Sequence, residues 1–510
     1  MKKTVIGIDL GTTYSCVAHI NENGKPEIVR NADGESTTPS VVWFDGEEVV
    51  IGHRAKEMSL IQPNEVCSFV KRSMGNENFT FDINGVKYAP SDISALILRK
   101  LVQDASVALG ETITDVVITV PAYFSFKERE ATKRAGELAG LNVTQLINEP
   151  TAAAFAYGIK PNSSNEQNEQ FVLVYDLGGG TFDTTLIRIS NRGIDVICTD
   201  GNHQLGGKDW DDRLAQQLMN KFNDLTNQQV DISDALEFAN DLLIKAETVK
   251  KTLSSNMSSK TTISYQGERA VVEITRNEFE HITNDLVNQT LELTQNMMAV
   301  ARGRGCNRID KMILVGGSSK MPMIAKRLKQ KFGAEPQIYE PDEAVAKGAA
   351  CIGNPFINRL PVRNVSSKTF GITVLDGYDS NQVPQLSVTN LVYRNTSLPV
   401  EVSEQFGTIA ENQKIIVVEL VESNHDKPEN GDEESIIDIK EVNPLWAGDL
   451  LIQPGLPKNS LVDITFRINI NGQLEISAYD PASGNKIYKA IPEVNVDAEK
   501  VRILREIVIT

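Results

Sequence analysis

Two short segments of the sequence repeat one pattern, in which an apolar strand runs into an aspartate, a glycine-containing turn and a second apolar strand. GIDLGTTYS covers residues 7–15 and VYDLGGGTFD covers residues 174–183. Their aspartates, Asp9 and Asp176, lie 167 residues apart. Apolar runs on both sides of a short glycine turn predict a hairpin in each segment. The repeat therefore predicts two similar half-domains whose hairpin turns face each other.

The residue types in these turns suit the binding of a polyphosphate. Glycine lets backbone N–H groups approach phosphate oxygens closely, because no Cβ intervenes. Thr12, Thr13 and Thr181 add hydroxyl donors. A carboxylate beside a polyphosphate is repelled unless a cation lies between them, and Mg²⁺ held through its water molecules is the usual choice. Either segment alone also fits an ordinary hairpin, but the two copies together favour a phosphate site.

A third glycine turn, LVGGSSKMP, follows another apolar strand at residues 314–322. The sequence contains no GxxxxGK[ST] segment and no GxGxxG segment that opens a helix. Those two motifs mark P-loop ATPases and Rossmann dehydrogenases respectively. The sequence therefore supports neither of these nucleotide-binding classes.

The charge and the cysteines exclude several other classes of protein. The net charge is −17, from 51 Lys+Arg and 68 Asp+Glu, which argues against broad electrostatic binding to nucleic acid or to an anionic membrane. The five cysteines form no CxxC pair, so neither a disulfide scaffold nor a zinc site is indicated. The N-terminal MKKTVIGIDL does not fit a signal peptide because Asp9 interrupts its apolar run. We expect a cytoplasmic protein that binds neither nucleic acid nor a membrane.

The chain is long enough for at least two domains. Strand and helix signals alternate through its first 350 residues and predict an α/β domain, with one helix over 125–140 and another, unbroken, over 276–301. Beyond residue 368, short strands separated by turns are typical of a β-sandwich. After the sandwich, the pattern again predicts a helix.

This last helix is predicted to be capped by Asp497 and to place Val501, Leu504 and Val508 on one face. No other segment of the sequence is predicted to cover that face.

With the three glycine turns established, the sequence resembles the seventy-kilodalton heat-shock chaperones, the DnaK-like family. Their ATPase domain shares the fold of actin and the sugar kinases. Order and spacing agree across residues 1–352, and a weaker match continues to about residue 490. The segments that carry the resemblance are GIDLGTTYS, VPAYF, LINEPTAAAFAYG, VYDLGGGTFD, LGGKDWD, KAETVKKTLSS, ILVGGSSKMPM and EPDEAVAKGAA.

The resemblance implies an α/β actin-like (duplicated ribonuclease-H-like) ATPase domain followed by an all-β sandwich domain that binds peptide. We place the ATPase domain at 1–357, an interdomain linker at 358–368, the β-sandwich at 369–492 and the start of a C-terminal helix at 493–510. We expect the helical lid of the family to be missing beyond its first turns. Peptide exchange is therefore expected to be fast and peptide affinity weak.

The resemblance also implies roles for individual residues in binding ATP or ADP with Mg²⁺, and K⁺ is a further candidate ion. Lys71 matches the lysine that supports γ-phosphate cleavage; without the resemblance, it reads as a surface lysine. Largely through water, the metal would be held by Asp9, Glu149 and Asp176. The implied catalytic set is Lys71, Asp9, Asp176, Asp183, Thr181 and Glu149. The implied nucleotide-binding set is Gly11, Thr12, Thr13, Tyr14, Gly178, Gly179, Gly180, Thr181, Glu247, Lys250, Lys251, Ser254, Gly316, Gly317, Ser318, Lys320 and Asp342.

Two features of the nucleoside site depend on the family for their interpretation. Glu247, Lys250 and Ser254 share one face of a helix; without the resemblance this is an ordinary charged face. Lys320 stands where relatives commonly carry an arginine that stacks on adenine. Lysine lacks the planar guanidinium, so we expect weaker stacking and lower nucleotide affinity.

The resemblance also assigns peptide binding and interdomain coupling. FGITVLDG and QFGTIAENQKIIV match the two stretches that form the peptide cleft, although alternating Ile and Val in strands also fit a plain sandwich core. The implied cleft residues are Ile372, Val374, Leu375, Phe406, Ile409, Ile416 and Val418. Pro121 and Arg129 match the pair that relays nucleotide state. The linker segment RLPVRNVSSK departs from the acidic, leucine-rich family linker, so we expect little coupling.

The favoured function is an ATP-dependent chaperone that hydrolyses ATP and binds extended hydrophobic segments of unfolded proteins. Its implied partners include a J-domain co-chaperone and a nucleotide-exchange factor. A small-molecule kinase of the same fold is one alternative, but it would need no β-sandwich. A nucleotide-dependent scaffold that does not hydrolyse ATP is another, and the complete set Asp9, Lys71, Glu149 and Asp176 speaks against it.

Overall fold

The computed structural model describes residues 4–157, 169–231, 236–354, 361–378, 381, 383–426, 439–470, 472–491 and 498–510. The chain forms two compact units. The first comprises Met1–Ile194, Thr199–Pro361 and Val496–Thr510, and the second comprises Asp195–Cys198 and Val362–Asn495. The C-terminal segment thus belongs with the first unit. The boundaries drawn from the sequence at residues 357, 368 and 492 stay a prediction.

Strands and helices alternate through residue 363, as the sequence predicts. The strands are β1 (Val5–Asp9), β2 (Tyr14–Ile20), β3 (Pro26–Val29), β4 (Thr38–Pro39), β5 (Val42–Asp45), β6 (Glu48–Ile51), β7 (Val66–Cys67), β8 (Phe81–Ile83), β9 (Val86–Tyr88), β10 (Asp115–Val120), β11 (Asn142–Asn148), β12 (Gln170–Leu177), β13 (Phe182–Ser190), β14 (Gly193–Asn202), β15 (Ser258–Tyr265), β16 (Glu268–Thr275), β17 (Lys311–Val315), β18 (Pro336–Ile338) and β19 (Val362–Arg363). The helices are α1 (His53–Met58), α2 (Pro90–Leu109), α3 (Phe126–Leu138), α4 (Glu149–Ala156), α5 (Gly207–Thr226), α6 (Leu236–Ser255), α7 (Arg276–Ile282), α8 (Asn284–Gly303), α9 (Pro322–Phe332) and α10 (Ala344–Gly353).

Two sheets of the first unit share one strand arrangement. One sheet has the order β11-β10-β1-β2-β3, and the other has the order β18-β17-β12-β13-β14. In each sheet the strand that carries the repeated aspartate pairs antiparallel with the next strand, β1 with β2 and β12 with β13. Its other neighbour is parallel, β10 for β1 and β17 for β12. The repeat predicted from the sequence is therefore present in the fold.

The central segment of β10 is apolar, as expected of a strand that is covered on both faces. Val116, Val117 and Ile118 of β10 are all fully buried. Small residues then allow α4 and α10 to pack closely: a Cβ added at Gly348 would collide with the backbone of Ala152. This contact explains the alanines and glycine of EPTAAA and AVAKGAA. It also fixes the position of Glu149, which is the first residue of α4.

The predicted helix over 276–301 is wrong in one respect, because it consists of two helices that meet at Thr283. The Thr283 hydroxyl donates to the carbonyl of Phe279 at 2.7 Å. A side-chain hydroxyl that bonds to the backbone competes with the regular helical pattern. Apolar periodicity continues across the break, so the sequence pattern alone does not reveal it.

The second unit is all-β, as predicted. Its strands are β20 (Thr369–Tyr378), β21 (Pro384–Val392), β22 (Val400–Gly407), β23 (Ile415–Ser423), β24 (Asn443–Leu451), β25 (Leu461–Ile468), β26 (Leu474–Tyr479) and β27 (Lys486–Ile491). They form two four-stranded sheets with the orders β21-β20-β23-β24 and β22-β25-β26-β27. Phe370 of the first sheet and Phe466 of the second are buried, with ring centroids 5.5 Å apart. The core of this unit therefore lies between its two sheets.

The C-terminal segment does not follow the prediction. It forms helix α11 (Ala498–Glu506) and then strand β28 (Val508–Ile509). The strand pairs in parallel with β6, so Val508 lies in an exposed strand position and not on the apolar face of the helix. Leu504 and Ile509 instead join the main hydrophobic core of the first unit. The expectation that this face has no covering element is wrong.

Polar contacts also attach this segment to the first unit. Arg99 on α2 donates to the carbonyls of Arg505 and Ile507, each at 3.1 Å, and to that of Leu504. Lys500 forms an ion pair with the buried carboxylate of Asp92 at 2.7 Å. Because Arg99 satisfies carbonyls at the helix end that lack an intrahelical partner, it acts as the C-terminal cap of α11.

Leu504→Ala is expected to lower the free energy of unfolding of the first unit by about 2 to 4 kcal/mol, because it leaves a cavity in a packed core. The side chain is 1% exposed. Thermal unfolding followed by circular dichroism measures the effect. Ile503→Ala is the matched control, because Ile503 is the neighbouring residue and is 48% exposed. Equal effects of the two substitutions would contradict the packing described.

Two features predicted from the sequence lie outside the described residues: linker residues 358–360 and the cap Asp497. Of the remaining linker, Arg363 pairs with Asp195 at 2.8 Å. Among the helices that the structure describes, none combines the length and apolar character needed to cross a membrane.

Candidate nucleotide-binding site

A cleft of about 610 Å³ opens in the first unit beside the ends of β1, β12 and β17. Its wall contains nearly all of the residues that the sequence assigns to nucleotide, metal and catalysis. Gly180 and Asp183 are the exceptions and do not line it. The predicted residues that do are Asp9, Gly11, Thr12, Thr13, Tyr14, Lys71, Glu149, Asp176, Gly178, Gly179, Thr181, Glu247, Lys250, Lys251, Ser254, Gly316, Gly317, Ser318, Lys320 and Asp342.

The two repeated turns touch each other at this cleft. A Cβ added at Gly180 would lie within 2.7 Å of three side-chain atoms of Thr12, and one added at Gly179 would collide with the side chain of Thr13. Glycine at these two positions thus lets the turn of one sheet approach the turn of the other. The arrangement brings the backbones of both turns to one place, as predicted from the repeat.

A buried lysine and several buried carboxylates lie beside the turns. The Lys71 ammonium forms an ion pair with Glu149 at 2.6 Å, and both side chains are buried. Asp9 accepts a hydrogen bond from the Thr119 hydroxyl at 3.4 Å. Asp183 accepts one from the backbone N–H of Tyr123 at 2.9 Å. Lys71 therefore lies in the cleft and not on the surface, where its sequence context alone would place it.

The carboxylates repel one another. Burial, and then the negative charge of Glu149, raise the pKa of Asp9 to about 7 and that of Asp183 to about 8. The same causes raise the pKa of Asp176 well above its usual value. Burial lowers the pKa of Lys71, but attraction by Glu149, Asp9 and Asp176 outweighs it, so the net pKa is raised. The positive charge of Lys71 thus does not balance the negative charge of the carboxylates in this cluster.

This donor set fits a hydrated divalent cation. Hard cations prefer carboxylate oxygens, and Mg²⁺ usually keeps several of its waters. Within the described part of the chain, no three His, Cys, Asp or Glu side chains are grouped closely enough to ligate a bare ion directly. Asp9, Glu149 and Asp176 are the candidates to hold such an ion, and contact through water stays a prediction.

A polar cluster closes one side of the cleft and includes a residue that the sequence analysis missed. Lys56 on α1 pairs with Glu247 on α6 and donates to the Tyr14 hydroxyl at 3.0 Å. Lys251 pairs with the same Glu247 at 2.7 Å. Burial opposes ionisation of Glu247, but the two lysines outweigh it and hold its pKa at about 2. Nothing in the local sequence of α1 distinguishes Lys56 from an ordinary surface lysine.

Two lysines assigned to the nucleoside have protein partners. The Lys250 ammonium pairs with the buried Asp211 at 2.7 Å and donates to the carbonyl of Gly207 at 3.0 Å. Lys320 pairs with Asp342, and both side chains are substantially exposed. An ion pair with Asp342 competes with any stacking of Lys320 on a base. The weaker base stacking and lower nucleotide affinity stay predictions.

Pro121 and Arg129 lie next to each other at the end of β10. The Arg129 guanidinium donates to the carbonyls of Ala122 at 3.0 Å, Phe124 at 3.2 Å and Pro121 at 3.4 Å. Burial lowers the pKa of Arg129 to about 10, although Asp183 opposes that shift. The structure thus joins the two residues that the resemblance pairs. Their role in signalling stays a prediction.

In the second unit the seven candidate peptide-binding residues separate into two groups. Ile372 and Val418 are 2% and 0% exposed and belong to the core between the sheets. Of the remaining five, Ile409 is exposed and the others, Val374, Leu375, Phe406 and Ile416, are partly exposed. Peptide contact by these five is compatible with the structure, whereas Ile372 and Val418 are not accessible in it.

Two facing glycine turns with a lysine and carboxylates beside them are the features expected of a protein that binds a polyphosphate. The comparison with protein families gives the particular family: the family model described as Hsp70 protein matches residues 5–503. The chain belongs to the Hsp70 family. Members of this family are nucleotide-dependent chaperones that act on unfolded polypeptides together with co-chaperones. They are ATPases, bind ATP or ADP with Mg²⁺, and combine an actin-like ATPase domain with a β-sandwich.

Proposed function

We propose that this chain hydrolyses ATP in its first unit and binds extended hydrophobic segments of unfolded proteins in its β-sandwich. The observation that supports the first half most strongly is the buried Lys71–Glu149 pair at 2.6 Å, beside two facing glycine turns. We further propose that the first unit has the duplicated, ribonuclease-H-like form of the actin fold. The shared strand order of its two sheets supports this.

The proposed reaction is cleavage of the γ-phosphate by water. Phosphoryl transfer depends mainly on positioning and on stabilising the charge that develops on phosphate oxygens. Backbone N–H groups of the two turns and the hydroxyls of Thr12, Thr13 and Thr181 would hold the phosphates. When bound, Mg²⁺ supplies neutralisation of the phosphate charge. Lys71 keeps its proton because its pKa is raised, so it donates to the γ-phosphate throughout the reaction.

We propose a different role for Asp183, the remaining carboxylate. Asp183 on β13 is paired in register with the cleft residue Asp176 on β12 and accepts a hydrogen bond from the N–H of Tyr123. Burial raises the pKa of its carboxyl to about 8. A carboxylate with a raised pKa accepts a proton more readily than an ordinary aspartate. We assign to Asp183 the orientation of the attacking water, and to Asp9, Glu149 and Asp176 the retention of the hydrated ion.

The proposed peptide site lies at the partly exposed side chains Val374, Leu375, Phe406, Ile409 and Ile416. Apolar side chains next to strand backbones suit an extended peptide, which gains main-chain hydrogen bonds and buries alternate side chains. Ile416 shares a face of β23 with the buried Val418, whereas Val417 points to the opposite face and is 61% exposed. The two neighbours therefore offer a test and its control.

Ile416→Phe is expected to weaken binding of a fluorescent apolar heptapeptide to the full chain by about 10-fold or more, because a larger side chain fills the proposed groove. Fluorescence anisotropy measures the affinity. Val417→Phe adds the same ring on the other face and is expected to bind as the wild type does. If both variants bind the heptapeptide equally well, Ile416 has only a structural role and does not line a peptide groove. Failure of the wild type to bind any apolar peptide would favour the kinase or scaffold alternative.

A further inference from the structure

The carbonyl oxygens of the triple-glycine turn accept hydrogen bonds from other segments of the first unit. The Gly178 carbonyl accepts from the backbone N–H of Gly207 at 2.9 Å, and that of Gly179 accepts from the N–H of Lys208 at 2.8 Å. Both donors belong to the first turn of α5, whose amides lack partners within the helix. The N-terminus of α5 thus holds the first two peptide groups of the turn.

The third peptide group is held by a side chain. The Nε of Arg72 donates to the Gly180 carbonyl at 2.9 Å. The two Nη atoms of the same guanidinium bind the carboxylate of Asp209 at 2.5 and 3.2 Å. Asp209 in turn accepts from the N–H of Gly206 at 2.7 Å and so caps α5. One arginine therefore joins the glycine turn to the helix that holds the rest of it.

The direction of this carbonyl fixes the direction of the next amide. In a planar trans peptide the C=O and N–H bonds point to opposite sides. With the Gly180 oxygen directed at Arg72, the N–H of Thr181 is directed away from Arg72. Thr181 lines the cleft, whereas Arg72 does not. Arg72 acts on the cleft through this peptide group and not by direct contact.

Arg72 also adjoins the catalytic lysine. Lys71 and Arg72 are consecutive residues of one short 3-10 turn, Val70–Ser73. The Lys71 side chain reaches Glu149 in the cleft, and that of Arg72 reaches the glycine turn and α5. The guanidinium is largely buried, with 11% of the side chain exposed. A shift of Arg72 would therefore change the position of the turn relative to Lys71.

We propose that Arg72 is a positioning residue for phosphate cleavage, which holds the Gly180–Thr181 peptide with its N–H toward the γ-phosphate and in register with Lys71. This inference rests on the proposed ATPase function. It needs an arginine specifically, because the planar fork binds a carboxylate with two nitrogens while its Nε is still free to bind a carbonyl. A lysine supplies one compact charge and is unable to make all three bonds in this geometry.

The test is single-turnover cleavage of radiolabelled ATP by the full chain with Mg²⁺. We expect Arg72→Lys to slow cleavage by about 10- to 100-fold, the size of effect that follows from a small misplacement of a catalytic group. The ATP dissociation constant should change by less than about 3-fold, because the other turn amides still hold the phosphates. Arg213→Lys is the matched control, since Arg213 lies on α5 and pairs with Asp285 at the surface at 2.8 Å.

A second variant separates positioning from folding. Arg72→Ala leaves space for a guanidinium ion, and millimolar guanidinium should restore a measurable part of the cleavage rate whereas methylammonium should not. The proposal is overturned if Arg72→Lys cleaves ATP at the wild-type rate. It is also overturned if the loss of cleavage in Arg72→Ala matches the fraction of unfolded protein and guanidinium does not restore the rate. If the wild type itself neither binds nor cleaves ATP, the proposed function fails instead.

Discussion

Lys71→Ala is expected to slow single-turnover ATP cleavage by roughly 100-fold or more, because it removes a fixed positive charge from a buried site where charge develops on the phosphate. ATP binding should be largely retained, since the glycine turns and threonine hydroxyls remain. Lys71 is therefore expected to stabilise the phosphate mainly in the transition state. Its removal should lower the cleavage rate and leave the ATP dissociation constant nearly unchanged. Quench-flow with radiolabelled ATP measures the first quantity, and equilibrium titration measures the second.

The substitution also leaves Glu149 without its ion-pair partner at 2.6 Å. Removing one partner of a buried pair is itself destabilising, so thermal unfolding must accompany the kinetics. Lys71→Met keeps most of the side-chain volume and is expected to show the same loss of cleavage. Lys329→Ala, at an exposed position on α9, serves as the control. If ATP turnover is unchanged in both Lys71 variants, this lysine takes no part in the mechanism.

Gly180→Ala is expected to weaken ATP binding by about 100-fold, because displacing one turn by about 1 Å separates two sets of phosphate ligands that must act together. A Cβ at this position would lie within 2.7 Å of three atoms of Thr12 on the opposite turn. Relief of that overlap requires the turns to move apart. Isothermal titration calorimetry of the full chain gives the dissociation constant.

Gly303→Ala is the matched control. Gly303 is the last residue of α8, and a Cβ there would meet nothing within 4 Å. Its nucleotide affinity should equal that of the wild type. If Gly180→Ala also binds ATP with wild-type affinity, the approach of the two turns is not needed for binding.

Much of the nucleotide site was predictable because its ligands belong to short, continuous segments. A glycine turn between two strands positions its own backbone amides, so GIDLGTTYS and VYDLGGGTFD carry most of their function locally. The equivalent sheet positions of Asp9 and Asp176 follow from the repeat. The resemblance to the family added Lys71 and Glu149, which the residues alone would have left as surface charges.

Other features depend on contacts between distant segments. Lys56 reaches Glu247 across 191 positions of the chain, and Arg72 reaches Asp209 across 137. Neither residue stands in a motif that predicts its partner. The C-terminal segment is similar, because its sequence pattern shows an apolar face but does not indicate that the core of the first unit covers it.

In the β-sandwich, alternation predicts which residues share a face of a strand. It does not predict where along the strand that face opens to solvent. Ile416 and Val418 share one face of β23, yet only Ile416 is partly exposed. The division of the seven candidate residues between core and groove therefore required the structure.

The central claim is that the two repeated turns bind one nucleotide from opposite sides. A crystal structure of the full chain with ADP and Mg²⁺ tests it most directly. The account predicts a diphosphate within hydrogen-bond distance of backbone N–H groups from both 11–13 and 178–181. A nucleotide that contacts only one of these turns, or that binds outside the cleft, would contradict it.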